Sequence, residues 1–372
     1  TLSPEQVERI EILRAPTAET GARAVAGTIN IITRGGFRQK LNDLRAGFTY
    51  EAGKLRPGLS WTRNHNDGNF NATWSLNAMR FGWQEHSEVE TVRTNLADGS
   101  RQVVQREVNE SDGSRTGVNG NARLQWRLGN GESLVLMPFF VRSEGRWNNH
   151  GRYDPYRDGV TVGSEGSGGS TFTQARLNSQ LNKRLGETLR LEMRAGLGRF
   201  QVDADNRSRL FDAAGLTTDE QRTRNDLGET TLNLAGKLSS PLDGNHALVT
   251  GWEIEGARRT EAPEATDESG QTIGDDDGRD LEASTRRIAL YVQDEWAINP
   301  NWSAHAGLRW EGITTRSSTS DTPVDNRSSV WTPLLHAVWK PDPAGRDQVR
   351  MSLTRSYRSP NLQSMIARRS LS

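Results

Sequence analysis

The stretch EGRWNNHGRYDPYRDG, residues 144–159, gathers Arg146, Trp147, His150, Arg152, Tyr153, Tyr156 and Arg157. Guanidinium groups beside aromatic rings suit an anionic, aromatic ligand, held by charge-assisted hydrogen bonds and by stacking. They suit equally a membrane rim, with rings at the interface and arginines on anionic lipid headgroups. A second stretch, DESGQTIGDDDGRDLE (267–282), packs seven carboxylates into sixteen residues. Calcium takes about six to eight oxygen ligands, so Asp275, Asp276, Asp277 and Asp280 form a weak cation-site candidate. The EF-hand spacing is missing, and a solvated loop is the plainer reading. Near the start, Glu8, Arg9, Glu11 and Arg14 fall within seven residues.

Covalent catalysis finds no support. The sequence has no G-x-S-x-G elbow, no H-E-x-x-H, no P-loop and no G-x-G-x-x-G after a strand. Its six histidines are scattered without metal-ligand spacing. GSEGSGGS (163–170) opens no helix, so it reads as a flexible loop tip, not a phosphate cradle. The residues point to binding, not to an enzyme or a resident cofactor.

Positioning these residues falls to a chain of unusual composition. Only 33% of its 372 residues are hydrophobic, against about 45–50% in ordinary globular domains, and mean hydropathy is −0.75. A conventional two-layer core is hard to build from this. Disorder fits no better, because the chain carries 11 Trp and 9 Phe and balances 47 basic against 47 acidic residues. Zero net charge gives no support for nucleic-acid binding. There is no cysteine, hence no disulfide framework or thiolate metal site. No apolar run approaches the roughly 20 residues of a membrane helix, but a barrel strand shows lipid only every second residue. The opening at Thr1 without a signal-like segment fits a mature chain or a piece of a longer one.

From about residue 43 onward the hydrophobic period is two. In 118–128, Val118, Gly120, Ala122, Leu124, Trp126 and Leu128 alternate with Asn119, Asn121, Arg123, Gln125 and Arg127. About thirteen such runs extend from 43–52 to 348–357. Short turns such as GNGE (129–132), PLDGN (241–245) and NPN (299–301) alternate with long polar links at about 84–115, 147–170, 204–226, 261–283 and 316–329. That alternation predicts a transmembrane β-barrel with short turns at one rim and long loops at the other. Trp302 and Trp310 are eight apart on one face, as are Trp331 and Trp339. Eight residues rise about 26 Å along a strand, close, after tilt, to the ~25 Å apolar band between aromatic girdles. Ordinary core tryptophan pairs are the alternative. Thirteen is odd where bacterial single-chain barrels are even, so further strands are expected beyond the C-terminus.

Three motifs resemble the TonB-dependent outer-membrane receptors. VERIEILRAPTAETGARAVAGTINIITR (7–34) is similar to the family's plug-ending motif, LYVQDEWAINPNWSAHAGLRWE (290–311) to its paired strands, and WTPLLHAVWKPD with VRMSLTRSYRSPNL (331–342, 349–362) to a later strand pair. Arg14-Ala15-Pro16 stands where the family has Arg-Gly-Pro, Thr20-Gly21 where it has Tyr-Gly, and Ala26-Gly27 where it has Gly-Gly.

The resemblance implies an all-β membrane protein. Residues 1–40 would be the C-terminal part of an N-terminal α+β plug, with helix entry at Ser3 and Pro4 and a short helix ending near Gly21. Residues 41–372 would be the first part of an antiparallel transmembrane barrel, about thirteen of twenty-two strands. It further implies active uptake of a scarce ligand, most often a ferric siderophore, driven by TonB with ExbB and ExbD through a TonB box outside this chain. Receptor plugs are held by arginine–carboxylate contacts, so Arg9 or Arg14 is expected to pair with Glu253, Glu295 or Glu311, next to Glu8 and Glu11. Ligand contacts are expected from Arg146, Trp147, Arg152, Tyr153, Tyr156 and Arg157, and lipid contacts from outer-membrane lipid and lipopolysaccharide. Long loops would be extracellular, and the short turns and plug end periplasmic. A passive porin-like or sugar channel shares the barrel but needs no plug segment. An extracellular β-rich adhesin or enzyme domain should bury both strand faces, which the Arg, Asn and Gln face disfavours.

Overall fold

A computed structural model describes residues 7–13, 28–33, 40–51, 53–154, 161–273, 281–318, 324–345 and 347–355. The segment before residue 40 contributes β1 (Val7–Leu13) and β2 (Thr28–Thr33), a two-stranded antiparallel sheet. The expected helix entry at Ser3 and Pro4 and the expected short helix ending near Gly21 lie outside the described residues. A second sheet holds thirteen strands: β3 (Asn42–Glu51), β4 (Lys54–Asp67), β5 (Phe70–Thr94), β6 (Arg101–Gly129), β7 (Glu132–Asp154), β8 (Thr161–Leu185), β9 (Leu189–Asp212), β10 (Thr217–Leu242), β11 (His246–Asp267), β12 (Leu281–Asn299), β13 (Trp302–Ser318), β14 (Val324–Trp339) and β15 (Val349–Thr354). Each pairs antiparallel with its neighbour in sequence, so the sheet is one uninterrupted meander. It is an open section of barrel wall.

At the short-turn rim the expected strand ends hold to within about three residues, because the turn chemistry is local. The GNG turn needs a left-handed backbone, and Gly129, Asn130 and Gly131 have φ of 93°, 51° and 80°. Asn299 Oδ1 accepts hydrogen bonds from the N–H groups of Asn301 and Trp302, both at 2.9 Å, closing the NPN turn.

The long links at the other rim require correction. Most of 84–115 and 204–226 is strand, and so is GSEGSGGS, whose residues pair with β7 on one side and β9 on the other. These segments escape a hydrophobic-period search because they are polar on both faces. Their backbone groups still need partners, and continuing the ladder satisfies them.

Pairing parity divides the side chains into two faces. One carries exposed Leu76, Val118, Phe140, Leu177, Leu197, Leu232, Leu290 and Leu335. The opposite face is polar and more enclosed, and side chains from strands two apart meet on it: Arg309 of β13 reaches Glu253 of β11, and Arg115 of β6 reaches Ser170 of β8. That is the crowding of a concave, inner face. Buried apolar packing is slight, with Tyr291 and Leu334 its main cluster. On the outer face Trp302 stands opposite Trp339 and Trp310 opposite Trp331, the first pair stacked at 6.1 Å. With His246 on Trp296 and Phe70 on Trp126, each at 5.0 Å, aromatic pairs line the outer short-turn rim.

An outer-face charge at mid-band should destabilise sharply. Leu290→Arg is expected to cost about 2–4 kcal/mol in denaturant unfolding from phospholipid vesicles. Thr171→Arg, beyond the band and opposite Glu144 and Asp203, should cost about 0–1 kcal/mol.

Candidate functional site

Charge concentrates on the inner face where β11, β12 and β13 adjoin. The ladder places Glu253, Ala289 and Glu311 in one row and Gly251, Tyr291 and Arg309 in the next. Ala289 and Gly251 are small, so long neighbours close over them and Ala289 is fully buried. Arg309 donates from Nη2 to Glu253 Oε2 at 2.6 Å and from Nε to Glu311 Oε1 at 2.5 Å, with its guanidinium 5.5 Å from the Tyr291 ring centroid. Arg287 donates from Nε to Glu255 Oε2 at 3.0 Å, and lies 2.9 Å from Glu253 and 3.4 Å from Glu311. Arg309 and Glu311 each keep 1% of their surface exposed. Two guanidiniums thus face three carboxylates.

A cavity of about 670 Å³ adjoins this cluster, lined also by Asn178, Gln180, Glu192, Arg194 and Lys237. Lys237 Nζ lies 3.5 Å from Glu192 Oε2. The lining alternates cations, carboxylates and amides without a nucleophile and base in catalytic register. It suits reversible contacts with a polar surface or solute.

The remaining expected site residues are dispersed. Glu295 accepts from Gln293 Nε2 at 2.9 Å and lies 3.8 Å from His305, nearer the short-turn rim. Glu8, Arg9 and Glu11 are on β1; Arg14 lies outside the described residues. The sheet itself divides the 144–159 cluster. On β7, Trp147 and Tyr153 have inner parity, while Arg146 and Arg152 have outer parity and are exposed. Tyr153 Oη and Ser164 Oγ are 3.1 Å apart. Tyr156, Arg157 and the acidic quartet Asp275, Asp276, Asp277 and Asp280 lie outside the described residues. Among the described residues no group of three or more His, Asp or Glu is placed to hold a metal.

The family model described as TonB dependent receptor-like, beta-barrel, matches residues 111–370. The chain belongs to the TonB-dependent receptor family. Its fold is similar to three solved receptors: the siderophore receptor PiuA from Acinetobacter baumannii, at 16% identity, 91% of this chain, 52% of that chain and TM-score 0.52; the ferripyoverdine receptor of Pseudomonas aeruginosa, at 12%, 96%, 47% and 0.54; and the ferric-catecholate import receptor Fiu from Escherichia coli K12 in its closed form, at 14%, 99%, 57% and 0.51. The chain spans about half the length of these receptors, and at such identities the likeness is one of fold. No curated protein matches the sequence.

In this TonB-dependent receptor barrel two groupings went unnoticed in the sequence. Arg287, adjacent to Arg286, is told apart from it only by parity: Arg287 has inner parity and is buried, Arg286 outer parity and exposed. Glu220 is enclosed on the outer face by Arg207, which donates Nε and Nη2 at 2.8 Å each, with Arg209 at 2.9 Å and Arg222 at 3.2 Å. Hydrogen bonds from Arg207, then Arg209, and the charge of both guanidiniums hold the Glu220 carboxyl down at about 2.

Two outcomes follow from these geometries. Arg309→Met leaves Glu253 and Glu311 short of a countercharge and should cost about 3–5 kcal/mol in detergent unfolding, with Glu311→Gln restoring part of it. Glu220's pKa is depressed on folding, so its stabilisation is full above the unfolded carboxylate value of about 4.3 and lost as pH falls toward about 2. Amide exchange in 205–224 should therefore accelerate over that window, and Glu220→Gln should remove the pH dependence.

Proposed function

We propose that the chain is part of an outer-membrane active-transport receptor that binds a scarce extracellular ligand, a ferric siderophore, and imports it with energy transduced by TonB together with ExbB and ExbD. The observation that carries this reading is the inverted polarity of the meander: lipid-suited apolar residues outside, a wet and charged lumen inside. The long-hairpin rim is extracellular and the short-turn rim periplasmic. Arg142, Arg199, Arg258, Arg286 and Arg316 have outer parity just beyond the apolar band, where they meet the anionic headgroups of lipopolysaccharide.

Residues 1–40 belong to the plug, with β1 and β2 as a sheet within it. A plug arginine, Arg9 or Arg14, engages this wall at Glu253 or Glu311, where three carboxylates meet two guanidiniums, or engages Glu295. Buried pairs of this kind are costly to desolvate and contribute little net stability. They suit a contact that must separate when TonB pulls. No residue has a covalent role; the protein binds, gates and releases.

The test is growth under iron limitation of cells whose sole siderophore receptor is the intact gene product, fed a panel of ferric siderophores. Growth on at least one member, abolished by loss of TonB, is the expected result. Growth that persists without TonB would instead make the barrel a passive channel.

A further inference from the structure

On the inner face beyond the charged cluster, the ladder aligns one row across six strands: Trp83 of β5, Gly113 of β6, Trp147 of β7, Gly168 of β8, Asn206 of β9 and Thr223 of β10. Tryptophan and glycine alternate over the first four. Each indole leans over the glycine of the next strand. A Cβ on Gly113 would meet Trp83 Cε2 at 2.7 Å, and a Cβ on Gly168 would meet Trp147 Nε1 at 2.8 Å. Without those side chains the rings rest against backbone, and both tryptophans stay half-buried on the inner face. The two platforms are two strands apart, about 9.6 Å.

Charge is sparse around them. Residues of inner parity run from Ser143 to Tyr153 on β7, Ser164 to Gln174 on β8 and Phe200 to Leu210 on β9. They are Ser, Gly, Asn, Gln, Tyr and Trp with a few apolar residues, and none is ionisable at neutral pH. At the edges of this band β10 carries Asp219 and Glu229, opposite Leu210 and Phe200, and β5 carries Glu85, two residues from Trp83; Lys54 donates to the Trp83 carbonyl oxygen and to Asp112 at 3.1 Å each. On β6 the inner face adds Arg115, which donates to Ser143 and Ser170 at 3.1 Å each, and Glu107, bonded to Asn109. The outer face of the same strands carries Arg146, Arg152, Arg207, Arg209, Glu220 and Arg222. Two amide oxygens, Oδ1 of Asn149 and of Asn225, are buried and accept no hydrogen bond among the described residues.

We infer that this row is a ligand platform for an uncharged molecule rich in hydroxyls or amides, stacked by a ring or flat face on Trp147 and Trp83 and hydrogen-bonded by the flanking asparagines. A triply anionic chelate would have to exchange water for a surface where Arg115 and Arg259 stand against Glu85, Glu107, Asp219 and Glu229, and that surface returns no net Coulomb attraction. A neutral ligand surrenders only hydrogen bonds, which amides and hydroxyls replace. The inference rests on the receptor reading above and specifies its ligand. The neutral chemistry has two sources, an uncharged ferric tris-hydroxamate or a neutral oligosaccharide.

The intact protein in detergent is titrated with three probes: a neutral ferric tris-hydroxamate, a neutral oligosaccharide and a ferric tris-catecholate. Binding of either neutral probe, unchanged between low and high salt, is expected to weaken about tenfold or more in Trp147→Ala and by no more than about threefold in Trp147→Phe. Trp83→Ala, on a different hairpin, should weaken it independently, which separates platform loss from misfolding of β7. Which neutral probe binds identifies the source. Tighter binding of the catecholate overturns the charge inference and leaves the receptor reading standing. Neutral binding untouched by both alanine variants overturns the platform, and binding of no probe overturns both readings.

Discussion

The antiparallel ladder is the constraint on which everything else depends. Every strand from β4 to β14 gives both edges to its sequence neighbours, so the backbone's donors and acceptors are satisfied within the sheet and require nothing from the side chains. A globular domain must bury apolar side chains to hold its elements together. Here the sheet is held by its own hydrogen bonds, and each face is free to match its surroundings. This is how a chain only 33% hydrophobic can be folded: its apolar residues are exposed on one side, not gathered in a core.

The same freedom explains the inner cluster. Arg309, Arg287, Glu253, Glu255 and Glu311 would be improbable in a hydrophobic interior, since desolvating five charges is costly. On a face that looks into a wet lumen the cost is smaller, and mutual enclosure over Ala289 and Gly251 fixes their geometry. The small residues matter as much as the charges. A larger side chain at 289 would prop the arginines away from Glu253, which is two strands from Arg309.

Legibility in the sequence followed the hydrophobic contrast between faces. In 118–128 one face is apolar and the other amide or guanidinium, and the strand could be read residue by residue. In 84–115 and 204–226 both faces are polar, so period two vanished although the strands did not. Trp147 and Tyr153 illustrate the finer limit. Counting parity upward from Leu134, Leu136 and Phe140 separates them from Arg146 and Arg152, since β7 pairs with β8 in constant register over Ser133–Arg152. Composition joins the four; geometry divides them. The meeting of Arg309 with Glu253 was less accessible still, because it needs the register of three strands at once.

Parity also explains how one strand serves two environments in succession. Along β7 the outer face runs Leu134, Leu136, Pro138, Phe140 and then Arg142, Glu144 and Arg146, while the inner face runs from Val135 and Phe139 to Ser143, Trp147 and Asn149. Beyond the band the outer face turns ionic because water now solvates it, and salt bridges such as Arg142–Glu144 at 2.9 Å are affordable there. The inner face of the same stretch loses charge altogether on β7–β9. Solubility cannot be the reason, since both faces are wet at that height. A surface exposed to water yet kept free of charge, with glycines placed so that indoles can lie against the backbone, is under a constraint other than folding. Contact with a neutral solute supplies one.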